Sequence, residues 1–418
     1  MNIKQFRHDL ARGLGSIILY LKQSPTLSDK YVEAIYEACI KNTAYDPQCD
    51  ISRENYLWEA IQLSKASDSL QERILRTLES DIEEDDWDFL QVYRLAKLFA
   101  LNGNPTALAT MKKAFRYREG WNGFLGGEEI IEAGGEQGFL FVAEQIGKGI
   151  LSSDYIADKF LLEFAYEHLG KDNVNGLLVS RKHANIQAFL RSATREPKED
   201  LSSKPIHEAS YDELKASLGN LWRPLYSYLK WGMKATEEDL LRAANDLLKE
   251  KNTKKLEAYL YIFGGRVFPL DPQKIMDFLQ SKHPRLRSAA IRVLHNMKDE
   301  RIHRLAIQLM GQQSTELEAL NLFIHNFMED DLQLLERVVF KRRNKDSFHN
   351  VGFSILKIFE KNPTLSCQKI LIELYQRGLC SICRKRCVAI MIANHILPTS
   401  LRDEIKYDCN PEIRNLLE

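Results

Sequence analysis

At 418 residues, with 44% apolar and 28% charged side chains in exact cationic and anionic balance (58 of each), the chain is too apolar for disorder and has no bulk charge to draw nucleic acid or an acidic membrane. No apolar run reaches the ~18–20 residues of a membrane span, and the N-terminal segment lacks the charged-apolar-small order of a secretion signal. Seven cysteines, at 39, 49, 367, 380, 383, 387 and 409, are too unevenly placed for a secreted disulfide framework, so a soluble cytoplasmic protein with free thiols and no membrane partner is expected.

Helical periodicity runs through the chain. The first segment is amphipathic through Lys4, Arg7, His8, Asp9 and Arg12, and Gly13-Leu14-Gly15 interrupts it. Glycine costs about 1 kcal/mol relative to alanine inside a helix, which points to a close helix crossing there. Ile35, Ala38 and Cys39 continue the three- and four-residue rhythm, and residues 45–56 then form a polar and aromatic turn. In that turn Asp46 can pair with Arg53, and Asp50 or Ser52 can cap the next helix. The acidic run Glu83–Asp88 suits a helix N-terminus, where negative charge complements the dipole. Phe89, Val92, Tyr93, Leu95, Ala96 and Phe99 make one apolar helix face.

Residues 119–138 hold seven glycines in twenty positions, so the backbone there takes shapes closed to other residues or approaches something closely. Helical pattern resumes with Phe160, Leu161, Phe164, Ala165 and Leu169. Residues 197–209 are polar, contain two prolines and lack an apolar period. They read as a linker between an N-terminal half, 1–196, and a C-terminal half, 210–418. Beyond it Ile291, Leu294 and Met297, then Leu332, Leu335, Val338 and Val339, keep the helical spacing. Roughly twenty to twenty-five helices are expected, covering more than about 60% of the chain, with essentially no strand.

Many short helices joined by short turns have apolar faces that only stacked neighbours can bury. His283-Pro284-Arg285-Leu286-Arg287, followed by Ala289, Ala290, Ile291 and Leu294, is echoed by Asn410-Pro411-Glu412-Ile413-Arg414. The phrase resembles the second helix of HEAT and HEAT-like (bilin-lyase-type) repeats, a scaffold found in many bacterial proteins. The resemblance is specific over about 280–310 and the last forty residues, and architectural elsewhere. It implies an all-α right-handed solenoid of stacked antiparallel helix pairs. It also implies a non-enzymatic adaptor that binds another protein on its concave surface. Bilin-lyase activity would rest on the repeat type alone.

Candidate chemistry is sparse. The glycine-rich stretch lacks the order of a phosphate loop, and no serine-hydrolase or zinc-protease signature occurs, so no catalytic residue and no cofactor is expected. Cys380-x-x-Cys383-x-x-x-Cys387 lacks the paired spacing of a zinc site. On a helix these thiols share one face as small core residues, with Arg384, Lys385 and Arg386 pointing outward, so no metal is expected. For a partner protein the candidate contacts are Trp121 and Phe124 in the glycine-rich loop, with Arg53 and Tyr56 beside them. The other reading of that loop is repeat-junction geometry with its aromatics in the core. A nucleic-acid alternative uses Arg285, Arg287, Arg342, Arg343, Arg384 and Arg386 as a basic C-terminal stripe. Some HEAT-like proteins are DNA glycosylases, so that alternative extends to a repair-like enzyme. Charge is polarised in keeping with it: residues 1–150 hold 17 Lys and Arg against 23 Asp and Glu, and residues 267–418 hold 23 against 18.

Overall fold

The structure is a computed structural model that describes residues 1–418 except 25, 81–84, 119–122, 153–158, 196–207, 220–223 and 312–315. It is all-α: 74% of it is helical, and the one ladder among the described residues pairs two-residue strands, β1 (Tyr117–Arg118) and β2 (Gly123–Phe124). The chain forms two compact units. The first comprises residues 1–199 together with 379–385 and 398–418; the second comprises 200–378 and 386–397. The halves read from the sequence therefore differ from the compact units, because two C-terminal segments fold with the N-terminal helices. The linker at 197–209 lies almost entirely outside the described residues.

Among the described residues of the first unit eleven helices run from the N-terminus: α1 (Ile3–Arg12), α2 (Ser16–Gln23), α3 (Asp29–Ile40), α4 (Glu54–Leu63), α5 (Ser67–Glu79), α6 (Asp86–Leu101), α7 (Ala107–Ala114), α8 (Gly127–Ser152, bent at Gly135), α9 (Phe160–Leu169), α10 (Lys171–Ser180) and α11 (Ala184–Ala193). From α1 to α8 each helix packs on the next but one: α1 on α3, α3 on α5, α5 on α7, and in a second row α2 on α4, α4 on α6, α6 on α8. Successive helices also touch from α3 to α8, so two rows share one apolar core. The α6 face expected from the sequence is that core: Phe89, Val92, Tyr93, Leu95, Ala96 and Phe99 are all buried.

The C-terminal segments close this unit against its first helices. Cys409 N–H donates to Gly13 O at 2.8 Å, and Lys22 Nζ sits 3.9 Å above the Tyr407 ring. A Cβ on Gly15 would lie 1.9 Å from Glu404 O, so the crossing requires glycine. Beside it Arg384, fully buried, donates to Asp408 at 3.0 Å.

The second unit repeats a different device. Helices Leu225–Lys234, Thr253–Ile262 and Pro284–Leu294, the turns around 316–323, and helix Lys345–Lys361 form a row, each packed on its neighbour. At the end of successive members, and again after helix Ser381–Ala393, sits an asparagine whose Nδ2 donates to the turn before it. Asn296 reaches Phe263 O and Gly264 O, Asn326 reaches Met297 O, Asn362 reaches Ile324 O, and Asn394 reaches Thr364 O, at 2.9–3.4 Å. Three of the four also donate to the carbonyl four residues earlier, capping their own helix end.

Candidate functional site

Residues 47–52 of the polar turn and 123–129 of the glycine-rich loop, far apart in sequence, line one groove of the first unit. Asp50 builds the turn. Its Oδ2 accepts from the backbone N–H of Tyr45 (3.1 Å) and Asp46 (3.3 Å), and its Oδ1 accepts from Ser381 N–H and Oγ–H, both at 2.7 Å. Such a carboxylate, filled with donors, holds the loop in shape rather than offering itself to a ligand. Asn42 N–H donates to Asp88 at 2.5 Å and fastens the start of the turn to α6.

The opposite wall begins at the β1–β2 hairpin, where Phe124 packs on Phe115 (5.2 Å) and edge-on to Tyr117 (5.8 Å). Gly126 then passes over the Tyr93 ring with φ +85°; a Cβ there would meet the ring at 2.4 Å. That passage starts α8 at Gly127 and puts Glu128 and Glu129 in its first turn, where the helix dipole favours carboxylates.

Between these walls lies a cavity of about 650 Å³. Trp87, Leu90 and Arg94 of α6 form one side, Phe124 and Leu125 another, and Phe160 and Leu161 at the start of α9 the rim. The Phe160 side chain is 58% exposed. Arg94 Nε lies 3.5 Å from Glu129, whose buried carboxyl is pushed up to about 7, chiefly by loss of water and against the pull of Arg94. Burial also raises Glu128, which makes no hydrogen bond or ion pair among the described residues. The lining thus combines apolar and aromatic surface with a carboxyl free to take a donor. The described lining residues include no histidine and no cysteine.

The sequence-derived contacts fall in different places. Trp121 lies outside the described residues. Phe124 lines the groove but is half-buried on other rings. Arg53 and Tyr56 are internal, at 5% and 4% exposure, which corrects the expectation of an exposed pair. The Arg53 guanidinium donates to Ala11 O (2.6 Å), Thr43 Oγ1 (2.9 Å) and Leu379 O (3.1 Å), so it ties the turn to the first and last segments of the unit. Nor does Arg53 pair with Asp46. The groove residues missed from the sequence are Trp87, Leu90, Arg94, Glu128, Glu129 and Phe160. Steps of three and four at 87, 90 and 94 did mark a second face of α6, beside the core face.

The basic stripe does not form as drawn. Arg384 is fully buried in the first unit on Asp408, so it does not point outward. Arg342 is paired with Glu316, and Arg386 grips Glu360 through two contacts of 2.6 and 2.8 Å. Arg287 donates to Ser281 O at 2.8 Å, and Arg285 and Arg343 are exposed. Of the three thiols, Cys380 and Cys387 are buried and Cys383 is half-buried. Compared with known proteins, the chain matches no family model and no curated sequence.

Proposed function

We propose that the protein is a non-enzymatic scaffold of HEAT-like helical repeats that binds another protein through the groove of its first unit. The observation that carries this reading is the groove itself. Two segments that depart from plain helix packing converge on it, and departures from local rules concentrate where function is built. Its volume suits a few side chains of a partner segment, and exposed aromatics at such a rim carry a large share of interface energy. Glu128 and Glu129 against the single Arg94 favour a segment that presents lysine or arginine beside an apolar side chain. The solenoid architecture is supported by the two-row packing of α1 to α8 and by Pro284 and Pro411 at the first position of their helices. The spacing of the ladder asparagines, about thirty to thirty-six residues, is shorter than the ~40–47 of typical HEAT units.

The test is a photo-crosslinking residue in place of Phe160, with a second at the 74%-exposed Val179 as control. The expected result is one protein captured from position 160 and not 179, crosslinked through a segment that carries a basic residue. Glu128→Lys should weaken that capture at least tenfold. Equal capture at both positions, or capture indifferent to Glu128→Lys, overturns the reading.

A further inference from the structure

In the second unit, basic and aromatic side chains from consecutive members of the helix row gather at the ends that carry the asparagine ladder. Arg292 closes the helix Pro284–Leu294, its stem against Gly264 of the preceding member and its guanidinium 5.0 Å from the Tyr261 ring. Lys357 lies in the last turns of Lys345–Lys361, its Nζ 4.5 Å above the Phe353 ring, and Arg386 approaches the same ring at 5.0 Å. Phe353 is 43% exposed, and His349 stacks near it. His295 and His325 each immediately precede a ladder asparagine, and Lys361 immediately precedes the third. Tyr261, Arg292, His325 and Lys357, followed by Arg386 on helix Ser381–Ala393, thus recur at intervals of about thirty residues.

These groups feel one another. Burial lowers Lys357, and Arg386 and Arg292 lower it further; burial holds His295 at about 4, helped by Lys357, Arg292 and His325. His325 is lowered by burial and by Lys361. Glu360, the carboxylate that acts on Lys357, is spent on Arg386, and among the described residues Arg292, Lys357 and Lys361 form no ion pair. Arg292, Lys357 and Lys361 are left as a concentration of positive charge, and both histidines are neutral near pH 7. Like charges held together in this way cost stability unless an anion joins them. They also lie at helix C-termini, where the dipole tolerates cations.

We propose that this row binds the phosphate backbone of a single nucleic-acid strand, with Arg292, Lys357 and Lys361 as the phosphate contacts and His295 and His325 as groups that gain a proton when the strand is seated. The cations are arrayed one per helix along a row, not folded into a closed pocket, which suits a chain of phosphates better than a lone anion. The exposed Phe353 ring among them is a surface on which a base can stack. Three uncompensated cations give a salt-sensitive and sequence-tolerant interaction, with log affinity falling about 2 per tenfold rise in salt.

The test uses the full chain and a labelled oligothymidylate of about fifteen nucleotides, followed by fluorescence anisotropy at low salt. Binding is expected with the salt slope above, and Arg292→Gln with Lys357→Gln should weaken it at least tenfold and cut the slope to about a third. Lys251→Gln with Lys254→Gln, exposed elsewhere in the unit, should leave it within twofold. The His295 proton resonances should titrate at a higher pH with the strand bound than without it, and affinity should rise between pH 7.5 and pH 5.5. No binding at low salt, equal loss in both variants, or an unmoved His295 titration overturns the proposal. Competition by inorganic phosphate as strong as by the strand, per phosphate, would reassign the row to a single anion and overturns the strand.

Discussion

The two units carry the same number of basic side chains and differ only in their acids: 29 Lys and Arg stand against 35 Asp and Glu in the first, and 29 against 23 in the second. They also use buried polar groups differently. The first unit uses Arg53 and Asp50 to join segments more than 300 positions apart, and beside them buries the Arg384–Asp408 pair. The second spends such groups on a local ladder, where each asparagine reaches only the neighbouring member of its row. A helical stack can therefore be closed by a few irreplaceable long-range contacts or by many equivalent short-range ones, and the two solutions should fail differently when a single side chain is removed.

The largest expected effect separates two arginines that stand two positions apart. Arg384→Met leaves Asp408 buried without its counter-charge, a loss of about 3–5 kcal/mol, whereas Arg386→Met removes a half-exposed pair with Glu360 and should cost about 1 kcal/mol or less. Urea unfolding curves of the two variants check this, and equal midpoints would erase the contrast. Gly126→Ala comes next. A side chain at φ +85° within 2.4 Å of the Tyr93 ring should cost about 3 kcal/mol and disturb the groove wall. By comparison Asn326→Ala, one rung of the ladder, should cost about 1–3 kcal/mol, because two carbonyls lose a donor while the other rungs persist.

The pH response sharpens the comparison further, because it runs in opposite directions. Glu129 and Glu404, both of the first unit, are held near 7 by burial, above the ordinary 4.5. The folded unit keeps protons that the unfolded chain releases, so this contribution is complete below pH 4.5 and is lost as pH rises to about 7. His295 of the second unit is held at about 4, below the ordinary 6.5. There the unfolded chain takes up the proton first, so stability falls as pH drops from 6.5 to about 4. Glu404→Gln should flatten the first slope and His295→Gln the second, each by at most about 3 kcal/mol across its window, read from thermal midpoints at pH 4 to 8. The smallest effect is expected for Arg285→Ala and Arg343→Ala, exposed and unpaired, at no more than about 0.5 kcal/mol.

Which features the sequence disclosed follows the same division between local and distant. Helix faces are local, and the buried side of α6 could be read from Phe89 to Phe99 because a period of 3.6 needs only neighbours. The break at Gly13 and Gly15 announced a close crossing, but not that Glu404 and Cys409 would supply the other side. Arg384 looked like part of an exposed Arg-Lys-Arg run, since nothing within a helical turn reveals that Asp408 waits to bury it. Arg53 misled in the same way, as its partners Ala11, Thr43 and Leu379 are carbonyl and hydroxyl groups with no signature of their own. The groove was half-legible: its two unusual loops stood out, whereas Trp87, Arg94 and Phe160 were hidden among ordinary helix residues. The ladder leaves a visible trace in the sequence, the repeated pairs His295-Asn296 and His325-Asn326.

The first unit is assembled from both ends of the sequence, and this has a consequence in time. Arg53 binds a carbonyl 326 positions away, and Asp50 binds a serine 331 positions away. At about 5–20 residues per second on the ribosome, the early helices wait roughly 15 to 70 seconds for these partners to be synthesised. During that interval three rungs of the second unit's ladder, at Asn296, Asn326 and Asn362, can already be in place, because they reach back no more than 38 positions. The helices made first thus wait longer for their partners than those rungs do, and for tens of seconds their buried arginine and their Gly15 crossing face water or whatever chaperone holds them.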